Sequence, residues 1–139
     1  MEANLLKVSL QNQLGEALRS ARKAAGLTQG LLAERARVSV PTVRLLEHGQ
    51  GNLTSWQTVL AALDLRLSGR NLPSAPNLGA QLALLRRRRG LSQRQLAVLV
   101  DVSQPTLIAL ERLSRGRLAT LDRVLQRLGA GAGAFYRCR

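Results

Sequence analysis

The sequence predicts an all-α protein built as two tandem units of four short helices, and three observations carry that prediction. Apolar residues make up 45% of the 139-residue chain while aromatics make up 2%. A core must then come from Leu, Val and Ala, a palette that suits small helices better than sandwiches or barrels. Apolar residues also recur at spacings of three and four, with little strict alternation. Finally, the chain repeats a phrase: TQGLLAERARVSVPTVRLLE from Thr28 to Glu47 and SQRQLAVLVDVSQPTLIALE from Ser92 to Glu111.

Sliding the sequence on itself by 64 positions brings Leu14, Gly15, Leu18, Arg22, Gly26, Leu27, Gln29, Leu32, Ala33, Val38, Ser39, Pro41, Thr42, Leu46 and Glu47 onto identical residues. A shared Leu/Ala/Arg bias does not place Gly26/Gly90, Gln29/Gln93 and Pro41/Pro105 in register, so the chain is duplicated. From Leu53, matched by Leu118, the offset becomes 65, and the extra residue falls in a loop, where insertions are tolerated. The period exceeds that of solenoid repeats and favours two complete small domains.

Each element has a local reason. In the first unit, a helix over about 11–25 presents Leu14, Leu18, Ala21 and Ala25 along one stripe and stops at Gly26. Thr28 caps a second helix that turns Leu32, Ala33 and Ala36 inward. Ser39 caps a third, with Pro41 in its first turn, where a missing N–H does no harm, and with Val43 and Leu46 facing the core. Thr54 and Gln57 have capping-box spacing before a fourth helix that buries Val59, Leu60 and Leu63. The second unit repeats this with Gly90, Ser92, Ser103 and a helix over about 118–128. The expected domains are 1–68 and 78–130, joined by a linker over 69–77 rich in turn formers. Residues 131–139 lack a core pattern and read as a flexible tail.

Lys and Arg number 21 against 8 Asp and Glu, a formal charge of +13. Residues 1–69 hold 8 basic and 5 acidic residues, whereas 70–139 hold 13 and 3. A well-solvated surface is the plain explanation, but an excess this large and lopsided points to a polyanionic partner. That polyanion is nucleic acid or an acidic membrane surface; no run of about 18 apolar residues exists, so nothing spans a bilayer. The segment MEANLLKVSLQNQ lacks the pattern of a secretory leader. A single cysteine, Cys138, forms no internal disulfide, and the lone His48 offers no metal cluster. The expectation is a cytoplasmic, nucleoid-associated protein without metal or cofactor.

The repeated phrase, Gln-x-x-Leu-Ala, then Val-Ser, then Pro-Thr-Val/Leu and a closing Glu, resembles the phage-repressor (Cro-like, XRE-type) helix-turn-helix family, over about 14–66 and 78–130. The resemblance implies two tandem lambda-repressor-like domains that bind double-stranded DNA, so the expected partner is double-stranded DNA, not a membrane. Physically, a helix fits the major groove, where base edges are distinguishable, and a second helix braces it at close quarters. Ala33 and Ala97 are small enough for that crossing. Where the family often has Gly in the turn between the two helices, this chain has Arg37 and Asp101. Asp tolerates a left-handed turn, whereas Arg adopts one at a cost of about 1–2 kcal/mol.

By the same resemblance, Arg22 with Glu47 and Arg86 with Glu111 are internal ion pairs between the first and third helices. Gln29 and Gln93 stand against phosphate at the start of the second helix. Ser103, Gln104, Pro105 and Ala109 face base edges in the second unit, as do Ser39, Val40, Pro41 and Leu45 in the first. Gln104 is the informative residue, since Gln bonds adenine bidentately; in the family a Gln at the place of Gln93 also braces it. Val40 and Leu45 offer a base only apolar contact, while Arg44 reaches guanine or phosphate, so the first unit is expected to read bases more weakly. Phosphate contacts are expected from Arg94, Arg112, Arg115 and Arg117, and from Arg37, Arg44 and Asn52. Arg86 is expected inside, with Arg87 to Arg89 partly surface charge.

Where the first unit has Glu34 and Arg35, the second has Val98 and Leu99, and Ile108 is also apolar. Such a patch is expected to meet something: the first unit of the same chain, a second copy in a homodimer, or a partner protein. The leading expectation is therefore a sequence-specific transcriptional regulator, a bacterial or phage repressor. The alternatives are a protein-interaction module of antiactivator or antitoxin type on the same fold, or the DNA-reading arm of a larger protein. No His/carboxylate/nucleophile constellation or Gly-rich phosphate loop suggests an enzyme, and no aromatic platform suggests a single-strand reader.

Overall fold

The structure, a computed structural model, describes residues 10–69, 71–130 and 133–137. The start of the segment read for a leader, up to residue 9, and Cys138 lie outside the described residues.

The first unit comprises α1 (Leu10–Ala24), α2 (Gln29–Ala36), α3 (Val40–Glu47) and α4 (Leu53–Ala61), followed by strand β1 (Leu65–Gly69). The second comprises α5 (Leu78–Arg88), α6 (Gln93–Leu99), α7 (Gln104–Leu113) and α8 (Leu118–Leu128), followed by β2 (Gly133–Arg137). The caps are chemical. Thr28, Ser39, Ser92 and Ser103 each accept, through the side-chain oxygen, a backbone N–H three residues on. Ser92 and Gln95 complete a reciprocal capping box. Gly26 and Gly90 take φ of 73° and 72° and close their helices, with Leu27 and Leu91 donating back to the Arg22 and Arg86 carbonyls.

Two local expectations are corrected. The cap of α4 is Asn52, whose Oδ1 accepts from Ser55 N–H at 2.8 Å, so Thr54 lies inside the first turn. Burial of Leu53 at the helix start explains the earlier beginning. Ala25 lies past the end of α1 and is exposed. The turn in question between α2 and α3 forms in both units: Arg37 and Asp101 sit in the left-handed region at φ 58° and 55°. Val38 and Val102 then donate to the Ala33 and Ala97 carbonyls.

The buried apolar core is one leucine-rich cluster to which both units contribute. Leu14, Leu18, Leu32, Val43, Leu46 and Leu60 are buried in the first, and Leu82, Leu96, Leu107, Leu110, Leu125 and Leu128 in the second. Trp56, which the sequence pattern did not single out, is completely buried and donates Nε1–H to the Gln50 carbonyl at 2.9 Å. Gly15 brings α1 against the end of α3, where an added Cβ would meet the Glu47 carbonyl at 2.5 Å. Gly79 does the same for α5 against the Glu111 carbonyl.

The architecture is helical with one addition. After the fourth helix of each unit the chain turns at Asp64 or Gly129, both at positive φ, into a strand. The two strands pair antiparallel, from Leu65↔Arg137 to Gly69↔Gly133. Residues 133–137 thus form a strand where the sequence suggested a tail, and Gly69 belongs to β1 rather than to the linker. Five residues are too few for a side-chain period to announce a strand, and its partner lies in the other unit. The loops before α4 and α8 also meet, in an antiparallel bridge pairing Asn52 with Arg117.

Candidate nucleic-acid interface

The third helix of each unit is anchored from behind before anything reaches solvent. In the second unit Arg86 Nε donates to Glu111 Oε2 at 2.7 Å and Nη2 to Oε1 at 3.0 Å, with both side chains buried. Nη1 donates to the Leu91 carbonyl at 2.8 Å, so the guanidinium ties α5, the following turn and α7 together. Arg22 repeats the arrangement with Glu47, at 2.7 and 3.2 Å, and with the Leu27 carbonyl at 2.9 Å. A bidentate, charge-assisted pair of this kind fixes orientation as well as distance.

The glutamine that opens the second helix joins the same cluster. Gln93 Nε2 donates to Glu111 Oε1 at 2.9 Å, and Gln29 Nε2 to Glu47 Oε1 at 3.2 Å. This corrects the expected brace: among the described residues no hydrogen bond joins Gln93 to Gln104. The buried carboxylate offers the amide a stronger, charged acceptor within reach. In the first unit the chain of contacts runs one step further, since Arg44 Nε donates to Gln29 Oε1 at 3.3 Å. Ile108 occupies the matching place in the second unit and has no donor to give. No sequence signal marked the Arg44–Gln29 bond; it needs the two helices in place.

On the outward side, Ser103, Gln104 and Pro105 are exposed at the start of α7 and Ala109 is half-buried one turn later. Ser103 Oγ is engaged by Thr106 N–H at 3.1 Å, so its oxygen is shared with the cap. In α3, Pro41, Arg44 and Leu45 are exposed, Ser39 is exposed and caps its helix, and Val40 is half-buried. Arg37, Arg94, Arg112, Arg115, Arg117 and Asn52 are all exposed, as are Arg87, Arg88 and Arg89. Asn52 uses Oδ1 to cap α4, accepting from Ser55 N–H at 2.8 Å. The apolar patch is narrower than the sequence implied. Val98 is 76% and Leu99 47% exposed, but Ile108 is half-buried, so the exposed pair lies on α6 with Leu91, Arg94 and Gln95 around it.

This geometry, a short helix carrying exposed polar residues, held by a second across a left-handed turn, occurs twice in one chain. The chain belongs to the helix-turn-helix domain family, whose model matches it over residues 13–74 and again over 77–134. Helix-turn-helix domains bind double-stranded DNA, with the second helix of the motif in the major groove. Comparison with curated proteins and with solved structures finds no match. Among the described residues no helix is long and apolar enough to cross a membrane.

Proposed function

We propose that this protein is a sequence-specific transcriptional regulator, a repressor, that inserts α7 into the major groove and reads bases with Gln104. The observation that carries the reading is the exposure of Gln104 at the tip of a helix whose other end is clamped by the buried Arg86–Glu111 pair. A rigid mount lets one amide discriminate adenine, an interaction worth about 1–3 kcal/mol. Arg94, Arg112, Arg115 and Arg117 supply phosphate contacts around it, Arg37 and Asn52 do so from the first unit, and Arg44 there reaches guanine or phosphate. With duplex in its path, a promoter is blocked by occupancy alone.

An electrophoretic shift across a salt series tests this. Four phosphate contacts give a log–log slope of about −3.6, steeper if the first unit engages. A response flat in salt, or equal affinity for unrelated duplexes, overturns it. Reporter transcription from a bound promoter separates repression from activation.

Exposure of Val98 and Leu99 on α6 favours a second reading, a protein-interaction module on the same fold. Val98→Arg with Leu99→Gln separates the two. If these changes abolish the protein's effect in its host while duplex binding persists, the interaction face is the function.

A further inference from the structure

The two units meet as the halves of a symmetric pair do. In the bridge, Asn52 opposes Arg117, the residue at the same place in the duplicated sequence. Leu53 N–H donates to the Gly116 carbonyl at 2.7 Å, and Leu118 N–H to the Gly51 carbonyl at 3.0 Å. Leu53 and Leu118 are themselves duplicates, so each bond is the copy of the other. Two arcs related in this self-complementary way lie about a two-fold axis. The strands obey the same relation, since each follows its unit's fourth helix and pairs antiparallel with the other. Across the join, α1 packs on α8, and Gln57 and Ala61 of α4 share a groove with Leu78 and Gln81 of α5.

We infer that a single chain is a covalent pseudo-dimer that fills a whole operator by itself, reading two inverted half-sites of unlike sequence. The inference rests on the DNA-binding reading above. Chain reach sets the spacing. Asn52 lies five residue steps beyond Glu47, and Arg117 four steps beyond Leu113. At about 3.5 Å per residue, with about 4.5 Å across the bridge, the ends of α3 and α7 lie no more than about 36 Å apart. Adding half of each helix at about 1.5 Å per residue keeps their centres within roughly 50 Å. Half-sites two helical turns apart, about 70 Å, are out of reach, whereas one turn, about 34–36 Å, is accessible.

The backbone symmetry is not matched by the reading residues. The second unit offers Gln104, whose amide suits adenine. The first has Val40 at that place and instead holds Arg44 through Gln29, leaving the terminal guanidinium nitrogens for guanine. A homodimer has identical readers in both halves; this chain has one of each.

Selection of bound sites from random duplexes with the full chain, followed by native mass spectrometry on the recovered duplex, tests this. The expected result is one 15.1 kDa chain per duplex on a bipartite site whose half-sites are inverted, unlike, and centred about 10 base pairs apart. Gln104→Ala then relaxes base preference roughly 5- to 150-fold in one half only, and Arg44→Ala does so in the other. Two chains on a palindrome, with Gln104→Ala relaxing both halves, overturns the pseudo-dimer and leaves DNA reading intact. A single unpaired half-site overturns it equally. Recovery of no preferred sequence overturns the DNA reading itself.

Discussion

Arg44 Nε donates to Gln29 Oε1 at 3.3 Å, and Gln29 passes the restraint on to the buried Glu47 through its amide. An exposed arginine ordinarily keeps most of its rotamer freedom, about 2 kcal/mol of entropy that binding must remove. Here part of that freedom is already removed by the fold. Gln29→Ala is expected to weaken duplex binding roughly 3- to 10-fold without touching a reading residue, and to lower stability by about 1–2 kcal/mol. Fluorescence anisotropy on a labelled duplex beside a urea titration measures both. Unchanged affinity would mean that Arg44 gains nothing from its brace.

Much of this arrangement was legible in the sequence, for identifiable reasons. Duplication put Gly26/Gly90, Gln29/Gln93 and Pro41/Pro105 in register, and capping chemistry fixed where α2, α3, α6 and α7 begin. What escaped was whatever depends on distant partners. Trp56 is half of a side-chain-to-carbonyl bond with Gln50 that no helical period announces. Asn52 caps α4 because Leu53 is needed in the core, which the Thr54–Gln57 spacing does not reveal. The strand at Gly133–Arg137 exists only against Leu65–Gly69. Gln93 meets Glu111 rather than Gln104, because a carboxylate eighteen residues away outcompetes the helix tip.

The two ion pairs make the units separately addressable. Trp56 is the only tryptophan and lies in the first unit, so its fluorescence reports that unit, while circular dichroism reports both. Glu111→Ala strands the buried Arg86 guanidinium and is expected to cost about 3–5 kcal/mol. Replacing both partners, Arg86→Met with Glu111→Leu, is expected to recover most of that loss, since no unpaired charge remains. In urea, the dichroism transition of Glu111→Ala should precede the Trp56 transition, and Glu47→Ala should reverse the order. Coincident transitions in both variants would show that the bridge and strands couple the units into one cooperative body.

Gly79 gives a sharper steric test. Its Cβ position falls among the Leu110 and Glu111 carbonyl oxygens, backbone atoms that cannot rotate away. Gly79→Ala is expected to lower stability by about 1–3 kcal/mol by prising α5 off the end of α7. Gly90→Ala is the control: it has open space around it but φ of 72°, so its cost of about 1–2 kcal/mol is backbone strain alone. The two differ in duplex binding, because only Gly79→Ala displaces the reading helix. Thermal melts paired with anisotropy separate them; equal loss of affinity in both variants would refute the positional account.

Arg37 sets stability against function at one position. At φ 58° and ψ 42° it occupies a left-handed turn that disfavours any side chain by about 1–2 kcal/mol. Glycine relieves that strain and gives back about 0.5–1 kcal/mol in unfolded-chain entropy. Arg37→Gly is therefore expected to stabilise the protein by up to about 1 kcal/mol. It also removes an exposed cation beside the helix that enters the groove, so affinity should fall and the salt slope should flatten by about 0.9. Asp101→Gly, at the same turn in the second unit, relieves less strain and removes an anion, so its affinity should rise instead. Urea titration and salt-dependent anisotropy on the four variants, wild type and double included, resolve the signs. A destabilised Arg37→Gly would show that the turn is unstrained, and an unchanged slope would show that Arg37 touches no phosphate.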